Sequence, residues 1–187
     1  MSKENIQNYK KLNAIIVALL FICLGVSICY FAMGHSLNIT IVILSIVNIV
    51  TCIVGLIYAL YGYKKDVAKY FKAFMLFFCV SNLSQVIIDL ITTKSMDFGS
   101  NISGVLRTVI CVITLILTFA KDLGKSTSMG LAYTMLITGV VNVLRILVLY
   151  NNDLLLTIIN IGDLLMIIIG FLFVIEKYID KASRGAK

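Results

Sequence analysis

The sequence predicts an all-α membrane protein of six transmembrane helices, grouped as three tandem helical hairpins around an axis along the membrane normal. Three observations predict it. Of the 187 residues, 60% are apolar and 13% charged, with a mean hydropathy of +1.04, whereas soluble domains run at about 45–50% apolar and about 25% charged. Too little polar surface remains to wrap a water-soluble globule. The same numbers exclude disorder, which needs low hydrophobicity. The apolar residues also gather in six runs long enough to cross roughly 30 Å of hydrocarbon as helices. Finally, the lysines between these runs fall almost entirely on one side.

The first span, Leu12–Gly34, follows Lys10 and Lys11 as the core of a secretion signal would. Its apolar run is far longer than the roughly 7–15 residues of a signal, and no A-x-A site follows, so it is expected to stay as a helix. The second, Ile39–Leu60, contains Ile41-Val42-Ile43-Leu44. Such a run lacks the apolar–polar alternation of a barrel strand, the other spanning structure. The third, Ala73–Thr92, carries Asn82, Ser84, Gln85 and Asp89. The fourth, Ile102–Ala120, carries Arg107 and then the unbroken Leu115-Ile116-Leu117. The fifth, Met129–Tyr150, carries Asn142 and Arg145, and the sixth, Leu154–Ile175, carries Asn160 and Asp163. There is no proline, so straight, continuous helices are expected. Gly55 with Ala59, and Gly162 with Gly170, suit close helix contacts.

Charge orients the bundle. Thirteen of the 16 basic residues lie at one face: Lys3, Lys10 and Lys11, then Lys64, Lys65, Lys69 and Lys72, then Lys121 and Lys125, then Lys177, Lys181, Arg184 and Lys187. Only Lys94 lies at the other, and Arg107 and Arg145 fall within spans. By the positive-inside rule both termini are cytoplasmic, which implies a multi-pass protein of the cell membrane. The net charge of +7 then reports topology and attraction to anionic headgroups. No aromatic–basic groove accompanies it, so nucleic acid is not an expected partner. Tyr30 and Tyr150 at the outer ends, with Tyr61, Tyr63, Tyr70 and Tyr178 at the inner ends, suit the interfacial belt.

The chain reads as one transmembrane unit over residues 1–187, with a candidate internal repeat. Strings of the form Lys-x-aliphatic-x-Lys begin at Lys65, Lys121 and Lys177, 56 residues apart each time. Repeat units of about 10–69, 70–125 and 126–181 follow. Fourteen residues before each first lysine stands a polar residue: Thr51, Arg107 and Asp163. Uniform helix length plus cytoplasmic lysines would produce the same spacing without true repetition.

A charge at the bilayer centre costs at least about 2.5–3.5 kcal/mol on insertion scales, so each intramembrane ion needs a reason. Asp89 and Arg107 are 18 residues apart across one outer connection, and Arg145 and Asp163 are 18 apart across the next. Within each hairpin the two depths are similar, in the outer half of the bilayer. Pairing across hairpins, Asp89 with Arg145 or Arg107 with Asp163, is also open. In one reading the ions form a structural clasp. In the other they line an outward-facing cavity for a polar or charged small solute. Asn82 and Gln85 near Asp89, Asn142 three residues before Arg145, and Asn160 three before Asp163 extend the pattern, as interhelical glue or as the lining of a path.

Enzyme chemistry is not expected. The single histidine, His35, sits beside Ser36 in a short connection, and adjacent residues do not supply the oriented nucleophile–base arrangement hydrolysis needs. No metal-binding spacing, Walker motif or dinucleotide motif is present, so no metal and no cofactor are expected. The five cysteines lie within spans and read as small apolar filler. The expected function is therefore binding or transport of a solute, as an oligomer or as the membrane subunit of a transporter. The alternative is a non-transporting sensor, immunity or assembly partner of another membrane protein.

Overall fold

In hydrocarbon every backbone amide must find its partner within the chain, and apolar runs without alternation satisfy this only as helices. The computed structural model bears this out. It describes residues 3–34, 39–61, 67–92, 98–120, 125–148 and 154–184, and among these no strand occurs. The six helices are α1 (Lys3–Gly34), α2 (Ile39–Tyr61), α3 (Val67–Thr92), α4 (Phe98–Phe119), α5 (Lys125–Val148) and α6 (Leu154–Arg184). Five of them, α1 to α5, contain stretches long and apolar enough to cross a membrane. The sixth, α6, has 31 residues, about 46 Å at 1.5 Å per residue.

The helices overrun the expected spans chiefly at the lysine-rich end, where α1 begins at Lys3 and α6 continues to Arg184. Lysine stems can lie along a helix while their ammonium groups reach water, so a basic sequence need not end the helix. Lys72 of α3 also sits over the Phe119 ring of α4, 5.6 Å from its centroid, a cation–π contact between neighbours. The α4 helix closes with the Ala120 amide donating to the Leu117 carbonyl at 3.4 Å, the tighter turn common at helix ends.

Consecutive helices are joined by only four or five residues, so each runs antiparallel to the last. One end of the bundle holds both termini (the termini end), and the other holds the links within hairpins α1–α2, α3–α4 and α5–α6 (the hairpin end). Each helix packs on its two sequence neighbours, and α1 closes on α6. The result is a ring in sequence order, with each hairpin occupying one third. The ring is flattened: α3 also touches α6 across the middle, while α1 and α4, and α2 and α5, do not meet among the described residues.

Close approach is set by small residues. A Cβ on Gly55 would come 2.8 Å from Leu20 Cδ2 and 3.1 Å from the Phe74 ring, so α1, α2 and α3 meet there only because that side chain is absent. Gly162 and Gly170 do not serve one neighbour. Gly162 approaches Val26 of α1, whereas Gly170 approaches Met135 of α5 and Phe74 of α3. Eight residues at 100° each turn the helix by about 80° beyond two full turns, enough to face different partners.

The exposed side chains are large and apolar, among them Phe21, Ile43, Ile57, Val105, Ile116, Tyr133 and Leu147, a surface suited to lipid. Between α5 and α6 this surface folds into an apolar groove of about 390 Å³ over Gly139 and Ile167. Tyr30 corrects the sequence reading. It is 4% exposed and packs inside the bundle, whereas Tyr61 and Tyr70 are exposed near the termini end as expected of a belt. Cys29 is also exposed rather than core filler.

Candidate functional site

The interior divides by depth. Toward the termini end it is mainly apolar and aromatic, although Thr114, Thr118, Ser128, Thr134 and Glu176 are buried there as well. Tyr58 of α2 meets Phe71 of α3 at 5.9 Å and Phe173 of α6 edge-on at 4.6 Å, and Phe74 meets Phe173 edge-on at 4.8 Å. Phe78 stacks on Phe74 at 6.4 Å, and Ile16, Leu20, Met75, Leu131 and Met135 fill the space around them. Edge-to-face pairing adds about 0.5–1.5 kcal/mol beyond the area each ring buries.

Toward the hairpin end polar side chains are withdrawn beside the apolar Tyr30, Leu44, Val86 and Val141, buried on α1 to α5 and half-buried on α6. Ser27 comes from α1, Ser45, Asn48 and Thr51 from α2, and Ser81, Asn82 and Gln85 from α3. Arg107 comes from α4 and Thr138 and Asn142 from α5, all buried. Asn160 and Asp163 of α6 are half-buried. These side chains are hidden from lipid because an unsatisfied polar group in hydrocarbon costs several kcal/mol.

Arg107 is the largest of these groups and is 1% exposed. Its Nη2 donates to Asn82 Oδ1 at 3.3 Å, tying α4 to α3. The Asn82 amide in turn donates to the Phe78 carbonyl at 3.0 Å, which fixes the acceptor toward the arginine. Ser81 Oγ donates to Asn48 Oδ1, linking α3 to α2. On α5 the Asn142 amide donates to the Thr138 carbonyl at 3.0 Å, and Thr138 Oγ1 to the Thr134 carbonyl at 2.7 Å. Thr51 closes on the Val47 carbonyl at 2.7 Å, and Ser27 on the Cys23 carbonyl at 2.9 Å. Hydroxyl and amide donors are thus largely satisfied within their own helices, a pattern available wherever the i−4 carbonyl is near.

Of the eight residues singled out in the sequence, Asn82 and Arg107 are brought into direct contact. Gln85 and Asn142 are buried, and Asn160 and Asp163 lie partly buried on α6. Asp89 and Arg145 lie on α3 and α5, but their side chains fall outside the described residues, as do His35 and Ser36. Helix packing bears on the pairing alternatives. Among the described residues α3 does not meet α5 and α4 does not meet α6, whereas α3 packs on α4 and α5 on α6. The two helices of each hairpin are therefore neighbours.

Sequence reasoning passed over Ser27, Ser45, Ser81, Thr138 and, at the termini end, Asn13 and Glu176. Asn13 donates its amide to the Ala59 carbonyl at 3.1 Å, joining α1 to α2. Glu176 is 4% exposed, one residue beyond the expected end of the sixth span. A usable signal was present in the spacing. Thr134, Thr138 and Asn142 recur every four residues, and Arg107, Cys111, Thr114 and Thr118 follow at +4, +7 and +11, so each set shares one helical face.

Among the described residues no group of three or more His, Cys, Asp or Glu side chains is arranged to hold a metal ion. No protein-family model, curated protein or solved structure matches this chain.

Proposed function

We propose that this chain is a small polytopic protein of the cell membrane that binds or transports a polar or charged small solute, alone or as the membrane subunit of a transporter. The solute site would be the polar half of the bundle, and both termini would face the cytoplasm. The observation that carries this reading is the division of the interior. Polar side chains are buried at the hairpin end on α1 to α5 and half-buried on α6, and the rings of Tyr58, Phe71, Phe74 and Phe173 pack together toward the termini. Helix association alone does not require that concentration, because small residues and generic packing suffice in membranes. With the lysines on the cytoplasmic side, the polar half would lie toward the outer face and the aromatic half would form a cytoplasmic seal. The 56-residue periodicity places Thr51, Arg107 and Asp163 at matching sites on α2, α4 and α6, which supports three repeated hairpins around one solute site.

Neutralising the acids tests the reading. Asp89→Asn and Asp163→Asn should each reduce solute uptake or binding while the protein still inserts. Normal transport by both variants would remove the proposal.

A second reading is favoured by the direct Arg107–Asn82 and Ser81–Asn48 contacts, which are what a clasp between helices needs. The protein would then be a non-transporting sensor, immunity or assembly partner. In that case the charge-swapped double variant Asp89→Arg with Arg107→Asp should restore what each single change loses.

A further inference from the structure

Sulfur atoms from α1, α2 and α6 meet where the polar half of the interior gives way to the aromatic half. Cys52 Sγ lies 4.0 Å from Met166 Sδ. The Cys23 thiol donates to the Gly162 carbonyl at 3.8 Å, beside the same stretch of α6, and is close enough to Cys52 to interact with it electrostatically. The three side chains are withdrawn from the surface, at 1%, 0% and 4% exposure for Cys23, Cys52 and Met166. We propose that Cys23, Cys52 and Met166 form a binding site for a soft, thiophilic monovalent cation of the Cu(I) class.

Three arguments support the assignment. Thiolate and thioether donors select soft ions such as Cu(I) over the hard cations that oxygen ligands prefer. The Cys52–Met166 edge has the right length as well. A metal–sulfur bond of about 2.3 Å, the length found in zinc thiolates, sets the corners of a trigonal three-sulfur site about 4.0 Å apart, the separation that Cys52 and Met166 already show. The charge balance suits a membrane interior, which penalises net charge. One thiol gives up its proton as the ion binds (M⁺ + RSH → M–SR + H⁺), and the second thiol and the thioether coordinate as neutral donors. The site thus carries no net charge, and metal affinity should rise with pH because a proton is released. Asp163, near enough to Cys23 to interact with it electrostatically, stands on the hairpin-end side of Met166 where ion and proton would pass. Because the third donor is a thioether, spacing of cysteines and histidines alone does not disclose the site.

The proposal stands apart from the solute reading and is tested separately. The full chain, with Cys29, Cys79 and Cys111 replaced by alanine, is purified in detergent under reducing conditions. Ag(I) serves as a redox-inert probe of the Cu(I) class, with excess glutathione as competitor. One Ag(I) per chain should remain bound through size-exclusion chromatography, and Cys23→Ala or Cys52→Ala should abolish retention. Met166→Leu, which conserves volume and leaves both thiols in place, should weaken retention by about tenfold or more if a third soft donor is lost. Circular dichroism checks that each variant remains helical. Absence of Ag(I) from the parent overturns the proposal, and so does retention unchanged by Met166→Leu, which would mark thiol labelling rather than a three-sulfur site. A failure of the solute reading, scored by Asn142→Ala in a binding assay, leaves this outcome untouched.

Discussion

The Arg107–Asn82 contact gives the sharpest energetic prediction. The guanidinium is 1% exposed and donates to Asn82 Oδ1 at 3.3 Å, between helices that pack side by side. Hydrogen bonds to charged groups contribute about 1.5–3 kcal/mol in proteins, while neutral interhelical bonds in membranes average about 0.6 kcal/mol. A charged donor at the long end of the distance range should fall between, so we expect a coupling of about 1–2 kcal/mol. Asn82→Leu removes a partner from a buried charge and should be the most damaging change, at roughly 3–5 kcal/mol. Arg107→Met leaves the neutral Asn82 acceptor unsatisfied and should cost about 1–3 kcal/mol. The double variant should then be less destabilised than the sum of the singles, because both polar groups have gone. Reversible unfolding in mixed detergent micelles, followed by far-ultraviolet circular dichroism, measures the three values. Strict additivity, within about 0.5 kcal/mol, would refute the contact as an energetic link between α3 and α4.

Other perturbations follow from the same packing. Phe74→Ala should destabilise by about 3–5 kcal/mol in that unfolding assay, since it empties the centre of the aromatic cluster; a loss below 1 kcal/mol would place Phe74 outside a packed core. Gly55→Ala should cost about 1–3 kcal/mol, because its new methyl meets Leu20 and the Phe74 ring and neither helix can yield freely. A lipophilic maleimide should label Cys29 in the native protein but reach Cys23, Cys52, Cys79 and Cys111 only after unfolding, a difference read by mass spectrometry. Protease or tag accessibility at the two termini should place both on the cytoplasmic side, as the lysine distribution requires.

Helix number and extent were legible because lipid leaves the chain few options. Apolar runs of about 20 residues without alternation have one spanning conformation, and the starts of α2 and α6 and the ends of α1 and α3 coincide with the expected boundaries. The lysine-rich ends were less legible, because charged side chains with long stems do not stop a helix at the headgroups. The site was legible in part. Arg107 declares itself by charge, and Asn82 and Asn142 by polarity within an apolar run. Ser81, Thr138 and Ser45 do not, because a hydroxyl can satisfy itself on its own helix and its burial depends on which face meets a neighbour. Tyr30 shows the same limit: its position near a span end fits an interfacial belt, and only the ring closure of α1 on α2 and α6 turns it inward. The meeting of Cys23, Cys52 and Met166 lies further still from the sequence, since it depends on three helices whose order around the ring no local spacing encodes.

The solute reading turns on whether water reaches one half of the interior and not the other. Single cysteines placed at Asn48, Asn82, Asn142 and Asn160, and at Leu20, Phe74, Met135 and Phe173, in an otherwise cysteine-free chain in intact membranes, can be exposed to a charged, membrane-impermeant thiol reagent from the outer face. Reaction is predicted at the first four positions and absent at the last four, with the boundary near the level of Cys52 and Met166. Equal protection of both sets would contradict a solute site in the polar half, and equal labelling of both would contradict the aromatic seal.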